Sequence, residues 1–557
     1  MKGTWRSLGG GAALIILVTI MVYLPALHGG FVWDDYTLIT GNRLIKASDG
    51  LYRYWFTTEA AEYYPLTGSM RWLEWRLWGM APMGYHVVNV LLHAADSVLV
   101  WIVLRRLKIL GAWLTALVFA IHPVNVATVA WISEQKNTLS MLFYAVTILL
   151  YLRFSEEGRW RWYGLSLVAF VLALLSKTAV VMLPVVLWGC VWWMRGKVQA
   201  KDLLQTAPFF VLSLVFGIVT IWFHHTHALK VLAIQPESFA FRLAAAGWAP
   251  WFYLSKALLP VNLMAVYPKW MIDTSYWVSY VPGALVITSL MAFWWNRDDG
   301  GRPLFFGLGY FVVMLFPVLG FFYQSFYRYS FVADPWQYYS IVGVIGLVVA
   351  AAMAIGRRLS RQQQSWGAVA GLAVLLVLGS GTWNRANVYG SEETFWQDTV
   401  SRNSQAWVAH YNLGNWQLQA GRFDKAIVQF RDAVRLRPDL AKVHINLGIA
   451  LAQDDKLPEA IEQFERALQI DPSLFEVHSN LGHALILLGK VPEAISHWEL
   501  ALRIQPDSAE VHYDLGLALE REGRREEGVE QYKLALKYKP DMTDAQNALA
   551  RLQASQR

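Results

Sequence analysis

Cysteine is almost absent from this chain of 557 residues: Cys190 stands alone inside an apolar run, so no disulfide can form within the chain. One thiol is compatible with either redox compartment and places the protein in neither. Charge is scarce as well, at 16% of residues against 55% hydrophobic. A soluble protein of this size rarely carries so few charges, because its surface must be solvated. The scarcity is also uneven. Residues 1 to about 385 are dense in apolar and aromatic side chains, whereas residues from about 400 onward are rich in Glu, Lys, Arg, Gln and Asp, so two physical environments are implied. The net charge of +7 does not point to nucleic acid, because the basic residues cluster at the ends of apolar segments, where they act as topology signals. No good small-x-small cleavage site stands out around Ala12 to Leu27, so the run preceded by Lys2 and Arg6 is expected to be an uncleaved first span rather than a signal peptide.

A helix needs roughly 20 residues to cross the hydrocarbon core. About eleven candidate spans lie near 9–27, 85–104, 109–121, 138–152, 162–176, 179–194, 206–223, 277–295, 303–322, 336–356 and 366–383. With the N-terminus inside, the inner loops carry Arg105, Arg106 and Lys108; Arg153, Arg159 and Arg161; Arg195, Lys197 and Lys201; Arg297 and Arg302; and Arg357, Arg358 and Arg361. That pattern obeys the positive-inside rule. The outer connections then fall near 28–84, 122–137, 176–178, 224–276 and 323–335, and an odd number of spans sends the C-terminal region outside. Residues 243–260 are apolar enough to span, but reading them as a re-entrant or interfacial helix keeps the later basic loops on the inner side.

The C-terminal region has a period of 34 residues. Leu413-Gly414 returns as Leu447-Gly448, Leu481-Gly482 and Leu515-Gly516; Pro438 returns as Pro472, Pro506 and Pro540; Phe430 returns as Phe464, Trp498 and Tyr532. This resembles the tetratricopeptide repeat at nearly every consensus position. Repeats are expected at 407–440, 441–474, 475–508 and 509–542, after a linker at 386–406 and before a capping helix at 543–557. Asn412, Asn446, Asn480 and Asp514 share that spacing. An amide both donates and accepts, so such a ladder suits an extended peptide in the groove, or it satisfies neighbouring backbone. His410, His444, His478 and His512 lie too far apart to ligate one metal and read as packing residues.

Just past the first span stands FVWDDYTLITGNRLI, with Asp34 and Asp35 at the membrane surface. Adjacent acids can serve as a general base, as metal ligands or as solvated loop residues. Their position directly after the first span resembles the signature of the GT-C class of membrane glycosyltransferases. The likeness extends through YYPLTGSMRWLEWRLWGMAPMGYHVVNVLLHAADSVLVWIVLRRL from Tyr63, IHPVNVATVAWISEQKNTLSMLFYAVTILLYLR from Ile121, LLSKTAVVMLPVVLW from Leu174 and VADPWQYYSIVGV from Val332. These stretches resemble bacterial membrane proteins with C-terminal tetratricopeptide repeats, which are similar in turn to the transmembrane and tetratricopeptide-repeat-containing O-mannosyltransferases. Two departures stand out: Gln135 and Asn137 replace a common Arg and Asp, and Pro335-Trp336 follows Asp334 where Arg-Tyr is usual.

The resemblance implies an all-α protein: a polytopic GT-C-like domain over 1–385 followed by an α-solenoid. It implies sugar transfer, with mannose the candidate sugar, from a polyprenyl phosphate to an extracytoplasmic acceptor, with the repeats recruiting protein. A bacterial inner-membrane location follows, with the site and the repeats on the periplasmic side. Such transfer needs a base for the acceptor hydroxyl and cations for the departing phosphate. Asp35, beside Tyr36, and Asp34 are the base candidates. Lys136, Lys177 and Arg328, at outer helix ends, are the phosphate candidates, with snorkelling to the interface as the alternative for Lys177. Glu134, His122 and Asp334 are further site candidates. Trp72, Trp75 and Trp78 read as interfacial anchors, or alternatively as sugar-stacking rings. Carboxylates suit Mg²⁺ or Mn²⁺, but no metal cofactor is expected. The competing readings are an inactive membrane anchor displaying a repeat scaffold, and a transporter.

Overall fold

The structure, a computed structural model, describes residues 2–224, 226, 237–322 and 324–554. Parts of three predicted segments lie outside the described residues: 225 and 227–236 of connection 224–276, residue 323 of connection 323–335, and 555–557 of the cap. Among the described residues every regular element is helical. The chain divides into two compact units, Met1–Asn403 and Ser404–Arg557.

The first unit is a bundle of apolar helices, and it makes this a multi-pass membrane protein. Among the described residues seven helices are long and apolar enough to cross a bilayer: Pro82–Arg106, Ile132–Glu157, Thr178–Arg195, Ala200–Phe223, Trp277–Trp295, Arg297–Val318 and Arg361–Val388. An eighth results if Ala112–Ala120 and Pro123–Val129, bent by 48°, are counted as one span. Length and composition alone therefore support seven or eight full crossings among the described residues and do not confirm the eleven predicted. The spans predicted at 9–27, 162–176 and 336–356 correspond to shorter apolar helices, Gly9–Val22, Trp160–Ser176 and Ile341–Gly356. The bend has a local cause: Pro123 cannot continue a helix from Ile121. His122 caps the following turn instead, accepting from the Val124 amide through Nδ1 at 3.4 Å, while Nε2 lies 3.1 Å from the Ala257 carbonyl.

Helix Phe239–Leu258 covers all but the last two residues of the stretch 243–260 predicted to be re-entrant or interfacial. It buries Ala244, Ala245, Ala246, Ala249 and Tyr253, and Gly247 lies against Gly283 of the next apolar helix, where a Cβ would come within 2.8 Å of the Gly283 backbone. The predicted linker needs correction. Its residues Glu392–Arg402 form a helix capped by Ser391, and Phe395 and Trp396 on it are fully buried in the first unit. Two bulky aromatics one residue apart are a core signal that the surrounding polar residues conceal.

In the second unit the paired helices begin at Trp407, Ala441, Phe475 and Ala509, and Thr543–Ala554 follows the last pair. The repeat glycines are required by close packing. A Cβ at Gly414, Gly448, Gly482 or Gly516 would come within 2.7 Å or less of the ring of Phe430, Phe464, Trp498 or Tyr532. Gly448→Ala is therefore expected to overpack its repeat and destabilise it by about 1–3 kcal/mol, read as a lowered melting transition of the full-length protein. The repeated histidines act as staples. His410, His444, His478 and His512 are buried, and each Nε2 lies 3.1–3.3 Å from a carbonyl six residues earlier, at Ser404, Pro438, Pro472 or Pro506. Each Nδ1 meets a side chain of the paired helix: Gln429, Gln463, His497 or Gln531.

Candidate active site

The segment after the first helix is pinned on both sides of Asp34. Before it, Trp33 has φ +47, a left-handed conformation that costs a bulky residue about 1–2 kcal/mol. Its indole is held by stacking on Trp131 (5.4 Å, 11°) and by the edge of Trp396 at 4.9 Å. After it, Asp35 is fully buried. Its Oδ2 accepts from the Val32 amide at 3.0 Å, and its Oδ1 accepts from the Ser133 amide at 2.8 Å and from the Ser133 hydroxyl. Arg71 donates to the Ser133 carbonyl at 2.5 Å, completing the knot. With both neighbours fixed, the Asp34 side chain faces a cavity of about 490 Å³. Of the two base candidates, Asp35 is the tie and Asp34 the acid that lines the cavity.

Four further charged groups, Glu62, Glu134, Lys136 and Lys177, line the same cavity. Lys136 Nζ lies 3.2 Å from Glu62 and 3.8 Å from Glu134, and Lys177 Nζ lies 3.5 Å from Glu134. Lys177 also donates to Asn137 Oδ1 at 2.7 Å, while the Asn137 amide donates to Glu134. These groups come from different breaks in the bundle. Glu134 and Lys136 lie where a 3-10 turn meets helix Gln135–Glu157, and Lys177 is the extended residue at which helix Trp160–Ser176 stops. Lys136, Lys177 and Glu134, three of the candidates from sequence, are thus brought together on one wall. Glu62 was missed, because a lone Glu in a polar loop gives no local signal.

A third wall comes from residues 324–336. Arg328 lies in it with its guanidinium 4.4 Å over the Tyr329 ring, and its buried Nε has no hydrogen-bond partner. Among the described residues Arg328 forms no ion pair. Arg242, also unpredicted, reaches the cavity and donates to the Phe321 carbonyl at 3.3 Å.

Two predicted candidates are not cavity groups. Asp334 is buried behind the wall formed by Ala333, Pro335 and Trp336, and accepts from the Tyr267 hydroxyl at 2.8 Å. His122 is spent on its turn cap, as described. Of the departures from the family pattern, Gln135 donates to buried Glu74 at 2.7 Å and does not line the cavity. Trp72 donates to the Ala47 carbonyl at 3.1 Å beneath Arg76, Lys46 lies over Trp75, and Trp78 packs edge-on to Tyr85. All three tryptophans knit the first loop together.

Enclosure by protein raises the Asp34 carboxyl to about 6; Lys136 and Arg328 pull it down, and Glu134 and Glu62 push it up. Burial likewise raises Asp35 to about 7 against the bonds from Ser133 and Val32. Glu62 goes the other way. Burial would raise it, but Lys136, His224 and Lys177 outweigh that and bring it down to about 2. An ionised Glu62 fixes the charge on Lys136, so much of the lysine charge is already balanced within the wall.

In the repeat unit the predicted ladder is divided. The Asn446 amide donates to Asn415 at 2.6 Å and to the Tyr411 hydroxyl at 3.2 Å, and Asp514 lies 2.7 Å from His483. These two positions bridge successive repeats. Asn412 and Asn480 are half-buried, with no such bridge among the described residues.

Fold and cavity define a polytopic helical membrane protein with an acid-and-cation cavity and a C-terminal array of tetratricopeptide repeats. Residues 65–224 match the family model for dolichyl-phosphate-mannose-protein mannosyltransferase, and 396–474, 482–523 and 509–542 match models for tetratricopeptide repeats. The chain is similar to a protein O-mannosyl-transferase of Caenorhabditis elegans, 27% identical over 26% of this chain and 23% of that protein. It is also similar to the human protein O-mannosyl-transferase TMTC4, 25% identical over 74% of this chain and 64% of that protein. The matches thus span less than two thirds of either relative. Among solved structures, the tetratricopeptide protein YrrB, described as having an unusual peptide-binding site, is 23% identical over 28% of this chain and 81% of that one, with a TM-score of 0.27. The mannosyltransferase match includes Glu134, Lys136 and Lys177; Asp34 and Arg328 lie outside it.

Proposed function

We propose that the protein is a membrane glycosyltransferase that moves a sugar, mannose in the first instance, from a polyprenyl phosphate to a hydroxyl of an extracytoplasmic acceptor. The observation that carries this reading is that a raised carboxylate, Asp34, shares one cavity with Arg328, whose Nε is left unpartnered. Asp34 takes the proton of the acceptor hydroxyl as its oxygen bonds to the sugar's anomeric carbon. The bond from that carbon to the phosphate oxygen breaks, and the phosphate leaves with the electron pair. Arg328 meets the charge that develops there, and the Lys136–Glu62–Glu134–Lys177 wall fixes the position of the phosphate. No step is routed through a metal, so transfer is expected to persist in chelator.

The repeats fit a protein acceptor. A groove with Asn412 and Asn480 available for backbone would hold an extended chain and raise its concentration near the membrane. The location proposed is a bacterial inner membrane with site and repeats on the periplasmic side, which the basic inner loops support.

The pH profile tests the base directly. Asp34 works only when ionised, so kcat/KM should rise with pH through about 6 and level off above it, the limb reporting the free protein. A rate that falls across that interval would assign the group the opposite role. An inactive scaffold would show no turnover to profile. The replaced Gln135 gives that reading no support, since its amide donates to Glu74 away from the cavity.

A further inference from the structure

A second cavity, of about 450 Å³, lies in the membrane unit among helices Pro82–Arg106, Gln135–Glu157, Leu183–Arg195, Arg302–Leu315 and Ile341–Gly356. Its lining is almost wholly apolar, and its polar atoms sit at the two ends. At one end Tyr144 donates to the Tyr310 hydroxyl at 3.3 Å, and Tyr310 donates to the Tyr339 carbonyl at 3.0 Å. Tyr339 belongs to the Asp34 cavity, so this tyrosine layer separates the two spaces. At the other end stands Lys108, exposed and without an ion pair among the described residues. Its φ of +58 is held by the turn that closes helix Pro82–Arg106, with amide bonds from Lys108 to Arg105 and from Ile109 to Leu104.

We propose that this cavity binds one anionic glycerophospholipid, an acyl chain filling the space and the phosphate meeting Lys108. The dimensions fit. From Val342 to Ala354 the lining helix rises about 18 Å, against about 15 Å of hydrocarbon in one leaflet. An apolar void of this size is costly to leave empty, and at this depth the available apolar filler is a lipid chain. Charge selects the headgroup: Lys108 sits beside exposed Arg105, and Arg106 is already paired with Glu156 at 2.6 Å. The tyrosine layer argues against the donor's own tail, whose phosphate belongs at the far side of it. The site is independent of the proposed transfer reaction.

The test is native mass spectrometry of the full-length protein, delipidated in detergent and given equal phosphatidylglycerol and phosphatidylcholine. One phosphatidylglycerol per chain is expected to survive in preference to phosphatidylcholine. Lys108→Asn, which removes the charge with a residue that accepts positive φ, should lower that retention about fivefold and erase the preference. Ala350→Phe should fill the cavity and abolish retention of both lipids; Ala354→Phe, nearer the mouth, serves if that variant misfolds. Equal retention of both lipids by the unaltered protein, or undiminished retention by the filled variants, would overturn the proposal. So would displacement of phosphatidylglycerol by polyprenyl phosphate in competition, which would assign the space to the donor.

Discussion

Asp34→Asn should cut sugar transfer by about 10²- to 10⁴-fold, the usual worth of a positioned general base, and leave the melting temperature close to that of the unaltered protein. The side chain faces the cavity and forms none of the bonds that fix its own segment, so its loss costs chemistry rather than structure. Asp35→Asn should do the reverse. Asp35 accepts three hydrogen bonds in a buried site, from the Val32 amide and from the amide and hydroxyl of Ser133. An amide offers one oxygen, so at least one donor is left unpaired, at a cost of about 1–3 kcal/mol. Activity lost through Asp35 would follow lost stability. Measuring transfer and melting on both variants separates base from tie, and a thermally stable, fully active Asp34→Asn protein would rule Asp34 out.

Arg328→Gln is expected to lower kcat by about 10²- to 10³-fold with a smaller change in KM, because the charge it meets grows as the phosphate departs. The lysines cannot replace it. Lys136 is shared between Glu62 and Glu134, and Lys177 is bound to Glu134 and Asn137. Arg328→Lys keeps the charge but loses the planar fork, so its rate should fall between the two. Lys136→Met provides the contrast. Lys136 is only 11% exposed and Glu134 13%, so removing the ammonium leaves buried carboxylates facing each other, with a loss of about 3–5 kcal/mol seen in melting. If Arg328→Gln retained full kcat while Lys136→Met stayed stable but inactive, the phosphate would belong to the lysine.

How far the sequence revealed this depends on where each signal is written. The repeats were legible because every unit uses the same contact, a Gly beneath an aromatic ring, at a fixed interval of 34 residues. The buried role of the repeated histidines could be read from spacing, but their carbonyl partners six residues earlier could not. The acidic pair was legible by position; which acid faces the cavity was not, because that is decided by Ser133, about a hundred residues away, and by the stacking of Trp33 on Trp131. Lys177 stood out as a charge interrupting an apolar stretch, Leu174 to Leu187. Glu62 and Arg242 carry no local motif and become site residues only through folding. The predicted eleven spans are not confirmed by helix length, because three apolar runs form short helices and the Pro123 bend divides another.

A cryo-electron microscopy structure of the full-length protein with a polyprenyl phosphate bound examines the common cavity most directly. The phosphate should lie within hydrogen-bond reach of the Arg328 guanidinium, against the Lys136–Glu62–Glu134–Lys177 wall and across from Asp34. A phosphate bound beyond the Tyr144–Tyr310 layer, with Asp34 and Arg328 left untouched, would contradict the account.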